Sequence, residues 1–400
     1  MSNVTDKACL FSKLINGADI EQIKSAVRPA AVAVPRPSFF KGYSDEVAAL
    51  ALPIIAYWTY SSIFHIMDVY KLAEGHRIHP TEEMLKKNRA SLYEVVRDVI
   101  LQHIIQTITG VLAFNLNVQE YTGFENAEIW DLRQKFPLLP AWFFYVAYWY
   151  LIPASRIFTA FVIIDTWQFT LHRLMHLSPF LYKHFHSRHH QLYVPYAYGA
   201  LFNNPVEGLL LDTVGTGVAS MIVNLSQREC MILYTFSTMK TVDDHCGYSF
   251  WFDPFQRLFP NNSIYHDIHH QHFGIKYNFS QPFFTFWDNL FGTRFTAIDS
   301  YTDKNGKITL KGYKKFLHDR TDKRRKIAKE YNMKFMRSLA LRMRRTRLRT
   351  LSIRIRFKRR MSESTFLWLS FFFLMFSHNH YIRVSEGLVF FCPLYLVNFM

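Results

Sequence analysis

The chain has 400 residues, half of them hydrophobic and 17% aromatic, with 47 Lys and Arg against 31 Asp and Glu. Its apolar residues gather in long runs, which argues against separate soluble domains and for one integrated membrane protein. The net charge of +16 does not indicate nucleic acid as a partner, because about twenty of the basic residues lie between positions 311 and 360. Basic segments beside membrane spans are expected on the cytoplasmic side. Cys9, Cys230, Cys246 and Cys392 are too widely spaced for a disulfide framework or a CxxC site, so reduced thiols are expected. Residues 1–25 show no basic region followed by an apolar core, hence no cleaved signal peptide.

Residues 1–45 are polar and Pro-punctuated and read as an extended cytosolic arm. Residues 46–154 hold the first membrane segments. One span covers about 47–68, with His65 at the interface, and a second covers about 98–116. The charged stretch 71–97 between them reads as cytosolic, and the acidic stretch 118–135 as a lumenal loop. Residues 136–151 are short and crowded with aromatics, which suits an interfacial segment. Pro153 and Arg156 are expected to break it from the next apolar run, 157–176. Residues 205–241 are apolar again and must leave and return, as two spans or a re-entrant hairpin. Gly208, Gly215 and Gly217 would let helices approach closely there. Residues 294–400 form a basic, poorly defined tail, whose apolar pieces 366–376 and 388–399 are too short to span with confidence.

Three histidine clusters organise the chain: His172 and His176; His186, His189 and His190; His266, His269 and His270. Offsets of three and four share a helix face, so each cluster can aim its imidazoles at one spot. His245 lies between the second and third clusters. Eight or nine ligands exceed one tetrahedral site, so two metal ions are expected. Spacing does not identify the metal, and a structural di-zinc site would use the same side chains. Asp165 lies on the His172 stripe and reads either as the carboxylate behind that ring or as a structural aspartate capping a helix. Asp243, Asp244 and Asp267 flank His245 and the third cluster and invite the same reading. His184 and His272 stand two residues from their clusters, off the ligand face.

Four segments carry a resemblance: DTWQFTLHRLMH (165–176), HSRHHQLYVPYAYGALFNNPVEGLLLDTVG (186–215), TVDDHCGYSF (241–250) and NNSIYHDIHHQHFGIKYNFSQPFFTFWDNLFGT (261–293). Together they resemble the fatty acid hydroxylase superfamily, and their longer phrases are most similar to its sphinganine C4-monooxygenase branch. The resemblance implies an all-α integral membrane protein, a multi-span helical bundle with a histidine-rich di-iron site at its cytosolic face. The catalytic domain would be residues 155–293. Its ligands would be His172, His176, His186, His189, His190, His245, His266, His269 and His270, with Asp165 and Asp244 behind them. The implied reaction is O2-dependent hydroxylation of a sphingoid base or ceramide at carbon 4, in the endoplasmic reticulum membrane. Electrons would come from NADPH or NADH through cytochrome b5. An unactivated methylene resists acid–base chemistry, which agrees with a redox metal. The rival readings are a sterol or fatty acid oxidase of the same superfamily, and a non-catalytic metal-binding membrane protein.

Overall fold

A computed structural model describes residues 16–114, 119–304 and 306–360. The chain divides into two compact units, Met1–Leu317 and His318–Met400. The first unit is helical; its one sheet among the described residues pairs Val34–Pro35 antiparallel with Tyr121–Thr122.

Among the described residues, three helices are long and apolar enough to cross a membrane: Asp45–Tyr70, Leu92–Ala113 and Ala141–Leu177. The first, α1 (Asp45–Tyr70), is capped by the Ser44 hydroxyl and carries Asp45 and Glu46 in its first turn, where the helix dipole favours acidic groups. The second, α2 (Leu92–Phe114), follows a short charged helix, Thr81–Lys87.

The third differs from expectation. Residues 141–146 continue through a π-turn, Ala147–Leu151, into α3 (Ile152–Leu177) without a break. Pro153 sits in the first turn of α3, where a missing N–H is tolerated, and the wider π-turn before it accommodates the ring. Arg156 lies 3.7 Å from Glu229. A 37-residue helix is about 55 Å long, more than one hydrocarbon core needs. One continuous helix therefore leads from the end of the acidic stretch to His172, in place of an interfacial segment broken from the next apolar run.

The arm and the acidic stretch, read from the sequence as lying on opposite faces, are in contact. The arm's helix Gly17–Lys24 packs Ile23 among Ile129, Ala141 and Phe144. Arg28 pairs with Asp131, and Arg36 with Glu120. Arm and acidic stretch thus lie on one membrane face, so they cannot be cytosolic and lumenal respectively. One crossing by each of the three long apolar helices would put residues 71–91 on the other face, with the histidine-bearing end of α3.

Residues 205–222 form a helix containing a π-turn, Leu209–Val214. A short turn joins it to α4 (Gln227–His245), which opens on a capping box between Ser226 and Glu229. Neither arm of this hairpin is among the three long apolar helices. A Cβ at Gly208 would run into the Gln102 amide, and one at Gly215 into the Trp167 indole, so both glycines permit close packing; Gly217 has open space.

The third cluster lies on a short helix, α5 (Ser263–His270), capped by the Asn262 side chain. The basic stretch forms one long helix, α6 (Leu310–Arg360). Its first turns bury Tyr313 and Phe316 against Ile78, Ile264, Ile268 and Phe295. The apolar pieces 366–376 and 388–399 lie outside the described residues. Cys230 and Cys246 are free and buried.

Candidate metal centre

Different backbone devices bring the clusters together. The last turns of α3 set His172 and His176 on one face. A π-turn, Tyr182–His186, delivers His186, and a 3-10 turn, His189–Gln191, delivers His189 and His190. His245 ends α4, and α5 supplies the remaining three.

The nine histidines fall into two groups, each with its ligand atoms within 4.8 Å of one another. One holds His172, His176, His186, His190 and His269; the other holds His189, His245, His266 and His270. The clusters are therefore not one site each, as their spacing suggests. Partners four apart stay together: His172 with His176, His186 with His190, His266 with His270. The middle residue of each HxxHH crosses over, His189 to the second group and His269 to the first.

Hydrogen bonds set which nitrogen faces inward. His172 donates through Nδ1 to the Phe279 carbonyl at 2.8 Å, and His186 to Glu207 Oε1 at 2.5 Å. His189 donates to Phe202, His245 to Thr241, His269 to Tyr277 and His270 to Leu192, all backbone carbonyls. A carbonyl oxygen has no proton to give, so the Nδ1 of His172, His189, His245, His269 and His270 carries one and the Nε2 of each presents a lone pair. His189 and His245 then face each other Nε2 to Nε2 at 3.5 Å with no proton between them. His172 Nε2 faces His186 Nε2 at 3.1 Å in the other group. Converging lone pairs repel unless a cation lies between them, so these residues fit bound metal. Burial first, and neighbouring imidazoles second, push His186, His190, His266 and His270 well below the usual histidine range. His189 falls to about 3 for the same reasons. Neutral rings are the form that binds metal.

A family model for fatty acid hydroxylases matches residues 157–293. The chain is 54% identical over 307 residues to the sphingolipid C4-hydroxylase of Saccharomyces cerevisiae, covering 76% of this chain and 88% of that one. This chain belongs to the fatty acid hydroxylase family. It is 44% identical over 250 residues to sphinganine C4-monooxygenase 1 of Arabidopsis thaliana, 62% of this chain and 88% of that one. With methylsterol monooxygenase 1 of Rattus norvegicus the identity is 32% over 185 residues, 45% and 57% of the two chains. No solved structure matches it significantly. The family makes this protein a membrane-bound oxidoreductase whose histidine clusters suit a metal-dependent oxygenase.

The acidic residues of this hydroxylase sit differently from the sequence reading. Asp165 reaches no histidine: its carboxylate accepts the backbone N–H groups of Phe283 at 3.0 Å and Phe284 at 2.7 Å. It shares a helix stripe with His172, but the acceptor of that ring's Nδ1 hydrogen bond is the Phe279 carbonyl. Asp244 is paired with Lys240 one turn earlier on α4. Asp243 accepts from Gln256. His184 bonds the Phe180 carbonyl, and His272 lies beside the Tyr193 ring; both stay outside the two groups.

The carboxylate that does back a histidine is Glu207, which the sequence reading assigned no role. It is 1% exposed, and its neighbour in the hairpin, Asp212, accepts from Gln168 at 3.3 Å. The available signal was a carboxylate inside an apolar run, the same signal that drew attention to Asp165.

Proposed function

We propose that this protein is a sphinganine C4-monooxygenase, hydroxylating a sphingoid base or ceramide at carbon 4 to give phytosphingosine or phytoceramide. One observation carries the proposal: two buried all-histidine groups with converging Nε2 lone pairs, in a chain about half identical to a sphingolipid C4-hydroxylase. The nine histidines would hold two irons, five ligands on one and four on the other. Bound there, the irons supply the redox chemistry that activates dioxygen and puts one of its oxygen atoms into an unactivated methylene, the other leaving as water.

The chain's own residues do the rest. Five backbone carbonyls and Glu207 hold six imidazole protons on the outer nitrogens and fix the ring planes. Asp165 ties the 283–284 turn to α3, which keeps the Phe279 carbonyl behind His172. Burial of the rings keeps bulk water from the reacting carbon. The centre lies on the face of residues 71–91, proposed here as cytosolic, in the endoplasmic reticulum membrane. Reducing equivalents from NADPH or NADH would arrive there through a cytochrome b5-type donor.

The test is expression in cells lacking long-chain base hydroxylation, with long-chain bases and sterols profiled together and iron measured on the purified protein. Trihydroxy bases and about two irons per chain are expected. Altered sterols without trihydroxy bases would make it a sterol oxidase, and metal without oxygen-dependent turnover would make it a non-catalytic binder.

A further inference from the structure

Beside the centre lies a small polar cavity of about 30 Å³, room for one water-sized group. Four histidines of the centre, His186, His189, His245 and His266, line one side of it, and Glu207, Asp212 and Asp244 are among the other lining residues. Its three carboxylates are unequally partnered. Asp244 has Lys240. Glu207 gives Oε1 to His186, but its Oε2 is buried with no partner. Asp212 has only the neutral Gln168 amide on Oδ1, and its Oδ2 is likewise buried and unpartnered. No Lys or Arg is among the residues lining the cavity. Two carboxylates at close quarters, sunk in an apolar hairpin, are costly unless a cation joins them.

The π-turn Leu209–Val214 makes this arrangement possible. It widens the helix and leaves the Leu210 carbonyl to the Trp167 indole. Asp212 lies within that turn. Glu207 stands one imidazole ring from the centre, because His186 bonds it through Nδ1 and faces the other histidines through Nε2.

We propose that Glu207 and Asp212 form a binding site for the primary ammonium of a free long-chain base. The proposal rests on the C4-hydroxylation reading above. In a sphingoid base the amine-bearing carbon is separated from carbon 4 by a single carbon. A substrate with carbon 4 at the histidines therefore carries its nitrogen only a few bond lengths away, within reach of these carboxylates. An ammonium offers three N–H donors and one positive charge, and the site offers two free carboxylate oxygens with no basic side chain among its lining residues. The amide of an N-acylated base carries no charge to fill it. The site thus selects the free base over ceramide, and Asp212, which touches no histidine, is its specificity-determining residue.

The experiment measures binding of radiolabelled sphinganine and N-acetylsphinganine to purified, metal-loaded protein without reductant, and then turnover of both. The unmodified protein is expected to bind sphinganine at least tenfold more tightly. Asp212→Asn, which keeps an acceptor for Gln168, should weaken sphinganine about tenfold and leave N-acetylsphinganine and metal content unchanged. Asp212→Glu should recover part of the loss and guards against a folding defect. If Asp212→Asn binds both lipids as the unmodified protein does, or if the unmodified protein prefers the N-acylated lipid, the ammonium site is refuted. If the unmodified protein hydroxylates neither lipid, the C4-hydroxylation reading itself fails, a separate result.

Discussion

Tyr313 donates its hydroxyl to Asp267 at 2.6 Å, which ties the start of α6 to the helix carrying the third histidine cluster. The same carboxylate oxygen meets His79 Nε2 at 2.9 Å, and His79 Nδ1 meets Glu83 at 3.2 Å. Burial opposes a charge on His79, but Asp267 and Glu83 outweigh it and raise its pKa to about 9 from 6.5. The His79 hydrogen bond in turn is the first cause lowering Glu83 to about 2. A raised histidine pKa stabilises the folded state fully below 6.5 and loses that contribution as pH rises through 9. His79→Gln should therefore melt below the unmodified protein near pH 6.5, with the gap closing toward pH 9.5. Thermal unfolding in detergent at several pH values checks it. A gap that stays constant with pH would mean that His79 is neutral in the fold.

The histidines were legible because they belong to local patterns. HxxxH and HxxHH are visible as spacing, and all nine residues meet in space. Their division was not legible, because it depends on turns that are not α-helical: the π-turn ending at His186 and the 3-10 turn starting at His189. The carboxylates went astray for a related reason. A helix stripe says which residues share a face but not what packs against it, and what packs against His172 is the Phe279 carbonyl. Glu207 and His79 are partners across 21 and 188 residues, of His186 and Asp267 respectively, a separation that no periodicity reports. The contact between arm and acidic stretch was likewise hidden, since Arg28 meets Asp131 only after two membrane-length helices and a short one have intervened.

The two histidine groups differ in reserve. His269→Ala takes one histidine from the group of five and leaves four, as many as the smaller group holds intact. His189→Ala takes one from the group of four and leaves three. Both should reduce hydroxylation to background in protein that still inserts, but His189→Ala should lose clearly more metal. Metal analysis of the two purified variants decides this. Near-normal turnover in either would remove the two-metal assignment.

Asp165→Asn should act on stability more than on chemistry. An asparagine presents one acceptor oxygen where the carboxylate presented two, so one of the Phe283 and Phe284 N–H groups is left buried and unpaired. That costs about 1–3 kcal/mol. The melting temperature should fall by several degrees, with turnover per bound metal within a few-fold of the unmodified protein. An unchanged melting temperature with a tenfold or greater loss of turnover would show that Asp165 works on the histidines after all.

Truncation separates the parts of α6. Tyr313 and Phe316 are buried and belong to the compact unit that ends at Leu317, whereas the described side chains from Lys323 to Met343 are exposed. The arginine-rich stretch beyond carries positive charge that attracts anionic headgroups, about 1 kcal/mol per basic residue near the surface. A chain ending at Arg337 keeps Tyr313 on Asp267 and should hydroxylate sphinganine at close to the full-length rate, with altered association with anionic lipid at most. A chain ending at Thr309 removes the Tyr313 hydroxyl and uncovers the Ile264 and Ile268 side of α5. It should insert poorly, or hold less metal when it does insert. The measurement is phytosphingosine formed per unit of membrane-inserted, metal-loaded protein for both truncations. Full activity in the shorter chain would make the Tyr313 anchor dispensable, and loss of turnover in an inserted, metallated chain ending at Arg337 would make the distal basic helix part of the enzyme.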